Sequence, residues 1–386
     1  ACAENSSQSE KSQPAEQTTV QPTTMSAEEI NDRKLDKFIS DMTLEEKVGQ
    51  MFFVRCPDED AVKQVSEYNI GGYILFGRDF DGKTKDEVVD DIHSYQNEAD
   101  IPLLIGVDEE GGTVVRVSSN PNLRETPFLS PKDTYADGGW DAIKQDAEEK
   151  ADLLLSLGIN VNLAPVCDMT SDEYGFMYDR SFSSDVDMEN RYVRTVVETS
   201  KSKKLGTVLK HFPGYGNNSD THTGIAYDDR DYSEFENTDF KPFYQGIESG
   251  ADCILVSHNI VNCMDSEYPA SLSQKVHDIL RNEFKFDGVI MTDDLIMDAI
   301  TDFTGDEAAA VTAAKCGNDL LCCSSVDTQY PAVLEAVQNG EISEAQVDAS
   351  VKRILKWKQN LGIFNIDTYQ KKVKSTEPTD TVGSEE

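Results

Sequence analysis

Short, almost wholly apolar runs recur along the chain: QMFFVRC (50–56), GGYILFG (71–77), PLLIGVD (102–108), NVNLAPVCD (160–168), GTVLKHF (206–212), DCILVSHN (252–259), GVIMTDD (288–294) and NDLLCCS (318–324). Runs of this length, rich in Val, Ile, Leu and Phe and lacking strict alternation, read as strands buried on both faces. Helical patterns lie between most of them. Thr43 with Glu46 gives a capping-box signature ahead of the first run. After the last run, Ser343 with Gln346 opens a helix that carries Val347, Val351, Ile354 and Leu355 on one face, and Gly362 closes it. Eight strand–helix alternations without a GxGxxG or GxxxxGK[ST] loop predict an α/β fold, a (β/α)8 TIM-type barrel, rather than a doubly wound nucleotide-binding sheet. No internal repeat is evident.

The ends differ from this pattern. Residues 1–28, rich in Ser, Gln, Thr, Pro and Glu, have almost nothing to bury and are expected to form a disordered polar linker. The barrel is expected over 29–370 as a single catalytic domain, and 371–386 as a second disordered tail. Cys2, followed by this linker, resembles the lipidated cysteine of a bacterial lipoprotein. The expectation is therefore a secreted or cell-surface protein, its only tie to a membrane a lipid anchor at Cys2.

Charge narrows the partners. With 35 Lys and Arg against 72 Asp and Glu, the formal net charge is −37. This opposes nucleic acid and anionic membrane surfaces, whose binding rests on basic side chains. No stretch approaches the roughly 20 apolar residues of a membrane span. Cys56, Cys167, Cys253, Cys316, Cys322 and Cys323 lie in or beside apolar runs and read as small hydrophobes, with Cys263 in a loop. No CxxC pair suggests zinc. A monomer without cofactor or metal is expected.

Polar residues gather where a barrel builds its active site. Asp108, Asp168, Lys210 with His211, His258, and Asp293 with Asp294 all fall at the C-terminal ends of predicted strands. His93 and His277 lie in helical patterns and are expected at the surface. In the glycine-bearing stretch KHFPGYGNNSDTHTG, Asp220 and His222 form an Asp-x-His step, in which a carboxylate can fix an imidazole's tautomer and prepare it for proton transfer. Asp293, emerging from an apolar strand, could act as a nucleophile. Together these suggest displacement at a sugar's anomeric carbon.

At these residues the chain resembles glycoside hydrolase family 3, and within it the single-domain β-N-acetylglucosaminidases of the NagZ type. The resemblance runs through MTLEEKVGQMFFV, GGYILFGR, GVDEEGGTVVR, NLAPVCD, DRSF, KHFPGYG, DTH and MTDDLIMDAI, over about residues 41–363. It implies a retaining exo-hydrolase that removes terminal β-linked N-acetylglucosamine, often from peptidoglycan fragments. It also implies Asp293 as nucleophile, His222 as acid/base with Asp220 as its partner, and Asp108, Arg116, Arg180, Lys210 and His211 as holders of the sugar's hydroxyls. A salt bridge that supports the rim is an equal reading for Arg116 and Arg180. Tyr215, Thr221, Glu109 and Thr113 depart from the residues such enzymes commonly carry. Three rivals remain at this point: a metal hydrolase using His211, His222, His258 and Asp293; a non-catalytic sugar-binding barrel; and a phosphorylase in which phosphate attacks the glycosyl-enzyme.

Overall fold

The structure is a computed structural model and describes residues 25–218 and 220–372; Cys2 and both outermost tails lie outside the described residues, as does the side chain of Thr221. All eight apolar runs form strands: β1 Phe52–Arg55, β2 Gly72–Leu75, β3 Leu104–Val107, β4 Val161–Asn162, β5 Gly206–Phe212, β6 Cys253–Val256, β7 Val289–Thr292 and β8 Leu321–Cys323. Each is parallel to its neighbours in sequence order. The ring closes through β8, which pairs with β1 (Phe52 opposite Leu321) and meets β7 at a Met291–Leu320 bridge. The expected α/β barrel is therefore what the chain forms.

Its interior explains the composition of the runs. Helices cover the outside, so both faces of each strand are dry and no polar alternation is tolerated. Gly106 in β3 is required by closeness: a Cβ there would stand 2.5 Å from Phe53 Cζ and 3.0 Å from Leu163 Cδ1. Burial at about 25 cal/mol per Å² of apolar surface makes this filled barrel the main stabilising term.

The helix ends follow the sequence closely. Thr43 Oγ1 accepts from Glu46 N (3.2 Å) while Glu46 Oε2 accepts from Thr43 N (2.9 Å), opening the helix Leu44–Gln50. Ser343 opens the helix Glu344–Asn360, which buries Val347, Val351, Ile354 and Leu355, and Gly362 follows it at φ 74°. Gln346, however, does not return the bond to its cap; its amide donates to Ala314 O at 2.7 Å and ties the helix to the preceding layer. At the other end the helix Ala27–Ser40, capped by Ser26, begins inside the span expected to be a polar linker. His277 corrects the expectation of a surface histidine. Its helix packs against the Cys316–Gly317 turn, the ring is buried, and Nδ1 donates to Ser273 O at 2.7 Å.

At the N-terminal end of the barrel, away from the strand ends that carry the polar cluster, Lys358 is fully buried with Gln50 Oε1 as its acceptor at 2.7 Å. Burial pushes its pKa down to about 7. In the unfolded chain the amine titrates near 10.4, so below pH ~7 both states carry the proton and the buried charge costs its full amount. Between these values the unfolded state binds the extra proton, and stability rises with pH. Lys358→Met removes this dependence. Relative to wild type, its unfolding free energy is expected to fall by on the order of 4 kcal/mol from pH 6 to pH 10.5, read by denaturant titration. A difference that stays flat with pH would show that the amine is solvated.

Candidate active site

The site grows from the C-terminal ends of the strands. Asp108 directly follows β3, while Lys210 and His211 close β5 side by side. Lys210 Nζ reaches Asp108 Oδ1 at 2.7 Å and Glu110 Oε1 at 2.6 Å. Glu110 is the junction of the cluster, because it also takes Arg180 by both prongs: Nε to Oε2 at 3.0 Å and Nη2 to Oε1 at 2.8 Å. Two parallel charge-assisted bonds fix the guanidinium in plane as well as in place. Burial opposes the charge on Glu110, but Lys210 and Arg180 outweigh it and hold its carboxyl well below the usual range. Burial likewise works against the Lys210 cation, and Asp108 and Glu110 overcome it, so the amine stays protonated.

His211 is aimed by a different acid. Asp168 Oδ2 accepts from His211 Nδ1 (2.7 Å) and from its backbone N–H (2.9 Å), and Asp168 Oδ1 accepts from Tyr215 N at 2.7 Å. With Nδ1 committed, Nε2 faces Arg180 Nη2 at 3.4 Å on the cavity side. Tyr215 is buried with its ring edge-on to that imidazole, so this departure lies beneath the sugar-holding residues.

The loop after β3 accounts for Glu109. Fully buried, its carboxylate accepts from the backbone N–H groups of Arg116 (2.8 Å), Val117 (2.7 Å) and Ser118 (3.1 Å), and from Ser118 Oγ. One side chain thus folds the turn that presents Arg116. Thr113 is exposed at the tip of the same turn.

After β7 two neighbouring acids separate. Asp294 is tied down, its Oδ2 accepting from Ser324 Oγ (2.7 Å) and Oδ1 from Ile296 N (3.1 Å), and burial raises its pKa. Asp293 accepts from Asp294 N at 2.8 Å and looks into the cavity. Burial acts to raise its pKa as well, but the His258 and His211 rings and the Asp294 N–H more than offset it and leave the carboxyl below its ordinary value. His258 stands behind this pair. It donates from Nε2 to Asp294 O (2.9 Å), accepts at Nδ1 from Ser271 Oγ (2.7 Å), and burial lowers its pKa. It is a strut beneath the rim.

The loop after β5 carries the remaining pair. Asp220 Oδ1 accepts from His222 Nδ1 at 2.7 Å and from His222 N at 3.0 Å, which leaves Nε2 as the free nitrogen. The root of this loop is pinned. Arg230 bridges Asp228 (2.8 Å), Asp239 (2.9 Å) and Gly214 O (3.1 Å), and Gly214 at φ 120° has no room for a Cβ, Asp239 Oδ1 being 2.4 Å away. At the far end Gly224, φ 137°, has nothing within 4 Å of its Cβ position. The His222 side chain is 64% exposed.

One cavity of about 520 Å³ gathers these groups: Asp108, Arg116, Arg180, Lys210, His211, His222 and Asp293 all line it. Asp220 joins through its bond to His222, while Asp168 and His258 act from behind. Glu110 escaped the sequence reading, although the signal was available: a lysine and an arginine gathered at one rim with Asp108 need a second anion, and DEEGG supplies it. Among the described residues no group of three or more His, Cys, Asp and Glu side chains is arranged to hold a metal ion.

The sequence pattern of the glycosyl hydrolase family 3 N-terminal domain matches residues 43–357. The chain belongs to glycosyl hydrolase family 3. A β-hexosaminidase of Hydrogenovibrio crunogenus is 31% identical over 286 residues, covering 72% of this chain and 79% of that protein. A β-hexosaminidase of Nitrosomonas eutropha is 32% identical over 273 residues, covering 69% and 77%. Among solved structures, a family 3 β-N-acetylglucosaminidase from Paenibacillus sp. FPU-7 superposes with a TM-score of 0.78 at 29% identity, covering 89% of this chain and 66% of that longer one. A β-N-acetylhexosaminidase from Beutenbergia cavernae superposes with a TM-score of 0.75 at 25% identity, covering 83% and 99%.

Proposed function

We propose that this family 3 chain is a retaining exo-β-N-acetylhexosaminidase that hydrolyses terminal β-linked N-acetylglucosamine. The observation that carries the reading is the shared cavity in which Asp293, with its lowered pKa, faces the same space as His222, whose Nδ1 is held by Asp220. In the first step an Asp293 oxygen attacks the anomeric carbon while His222 Nε2 protonates the departing glycosidic oxygen. In the second, water donates its proton to the same nitrogen and displaces Asp293 from the sugar, restoring the β configuration. Asp108, Lys210, Arg180 and His211 hold the ring hydroxyls, since fixed charged partners discriminate against sugars that leave them unpaired. The names of the Paenibacillus and Beutenbergia enzymes support the N-acetyl sugar, and those of the two β-hexosaminidases support water over phosphate as the acceptor.

An aryl β-N-acetylglucosaminide is expected to be turned over about 10²-fold better, in kcat/KM, than the matching aryl β-glucoside, with free N-acetylglucosamine as product whether or not phosphate is present. Equal turnover of the two glycosides, or a sugar 1-phosphate as the main product, would overturn this assignment.

A further inference from the structure

The position of the acid fixes where the leaving group stands. His222 Nε2 must reach the glycosidic oxygen, so the departing sugar lies against whatever surrounds that nitrogen. The helix Asp298–Thr304 packs against the Thr221–Thr223 turn that carries His222, and Ile296, Met297 and Asp298 line the same cavity as the imidazole. Asp294 holds this segment: its Oδ1 accepts from Ile296 N (3.1 Å) and its backbone oxygen from Met297 N (3.1 Å). Ile296 is nevertheless 47% exposed. A large aliphatic side chain kept open on a fixed backbone at the edge of a polar cavity offers a shelf for the apolar C–H face of a sugar ring.

Charge is distributed unevenly around this shelf. The lysine and arginines of the cavity act elsewhere: Arg116, Arg180 and Lys210 belong to the terminal-sugar end, and Arg55 acts on Asp79 and Asp294. The segments that follow β5, β6 and β7, residues 213–240, 257–274 and 293–314, contain a single Lys or Arg. That one, Arg230, is spent on Asp228 and Asp239. Asp298, by contrast, is exposed, and its carboxylate makes no ion pair or hydrogen bond with another described residue. Once His222 has given its proton to the glycosidic oxygen, the carboxylates of Asp220 and Asp298 are the charges that flank the departing group.

We infer that Ile296 and Asp298 form a leaving-group shelf that selects by charge: it takes an uncharged sugar on Ile296 and turns away one that carries a carboxylate, such as the muramic residue of a peptidoglycan fragment. This rests on the glycosidase reading above, deepens it toward neutral oligosaccharides, and makes Asp298 a specificity-determining residue. The expected effect is modest, because an exposed pair of charges is worth only a few-fold and salt screens it.

The test measures kcat/KM of the purified protein on three disaccharides with the same terminal sugar: β-1,4-linked N-acetylglucosaminyl-N-acetylglucosamine, N-acetylglucosaminyl-N-acetylmuramic acid, and the methyl ester of the latter. The ester keeps the bulk of the lactyl arm and removes its charge. At low ionic strength wild type is expected to cleave the ester about 3- to 5-fold faster than the acid, and about 0.5 M salt should bring that ratio close to one. In Asp298→Asn the ratio should fall toward one without added salt, and in Asp298→Lys it should drop below one. Both substrates are read on one sample, so any loss of folded protein cancels. Ile296→Ser should slow the unmodified disaccharide about 5-fold relative to methyl β-N-acetylglucosaminide, whose aglycone is too small to cover the shelf. An acid cleaved as fast as its ester, a ratio untouched by salt or by Asp298→Asn, or an Ile296→Ser loss equal on both glycosides would each overturn the inference and leave the glycosidase reading standing. Failure to cleave any of these glycosides would instead strike the glycosidase reading itself.

Discussion

Asp293→Asn is expected to lose turnover of every glycoside by about 10⁴-fold or more, the scale on which removal of a covalent nucleophile acts. The carboxamide keeps the shape of the side chain and can still accept from Asp294 N, as Asp293 Oδ1 does now at 2.8 Å. The fold therefore has no reason to change, but the replacement has no charge with which to attack carbon. Asp294 cannot stand in, because its oxygens are bound to Ser324 and Ile296 and burial favours its protonated form. A 2-fluoro sugar with a good leaving group should label the wild type on the peptide containing Asp293 and leave the variant unlabelled, read by mass spectrometry. Activity within tenfold of wild type, or a label elsewhere, would remove Asp293 from the role proposed for it.

His222→Ala should act selectively. For poor leaving groups such as natural disaccharides, kcat/KM is expected to drop about 10²- to 10⁴-fold, the usual contribution of general acid catalysis. An activated aryl group needs little protonation, so its departure should suffer less. The glycosyl-enzyme should then accumulate, since water has lost its base as well. Azide needs no base and should restore turnover, yielding the β-glycosyl azide. Because His222 is an exposed side chain on a loop whose root is held independently by Arg230, its removal should leave thermal stability unchanged. Equal slowing of good and poor leaving groups with no azide rescue would mean that His222 only shapes the loop.

The strands were legible because a parallel barrel imposes dry surroundings on both faces, and residues such as Val289–Thr292 or Leu104–Val107 answer that demand alone, whatever the partner. The run 160–168 shows the limit. Only Val161 and Asn162 join the ladder, with one further bridge from Val166 to Lys210, because Pro165 brings no N–H to the pairing. Asp293 and the Asp220–His222 pair could be read because the chemistry requires those residue types. Glu110 and Glu109 could not be told apart in the same way. Both are buried acids of one short motif, and only their partners, two cations for one and three backbone N–H groups for the other, give them separate tasks. His277 was misplaced because the helix Gln274–Asp278 runs on into a π-helical turn, Ile279–Glu283, whose wider winding breaks the 3.6-residue period that tells an inner face from an outer one.

The quartet of Asp108, Glu110, Lys210 and Arg180 carries two positive and two negative charges, each satisfied within the group. Set in a chain of net charge −37, it forms an internally neutral grip inside a strongly anionic body. Such a grip acts through short, directed dipoles that bulk ions do not screen, while the outer field reaches only as far as the Debye length, about 8 Å at physiological ionic strength. An uncharged glycoside therefore approaches and binds without feeling the overall charge, and its capture is indifferent to the saltiness of the medium.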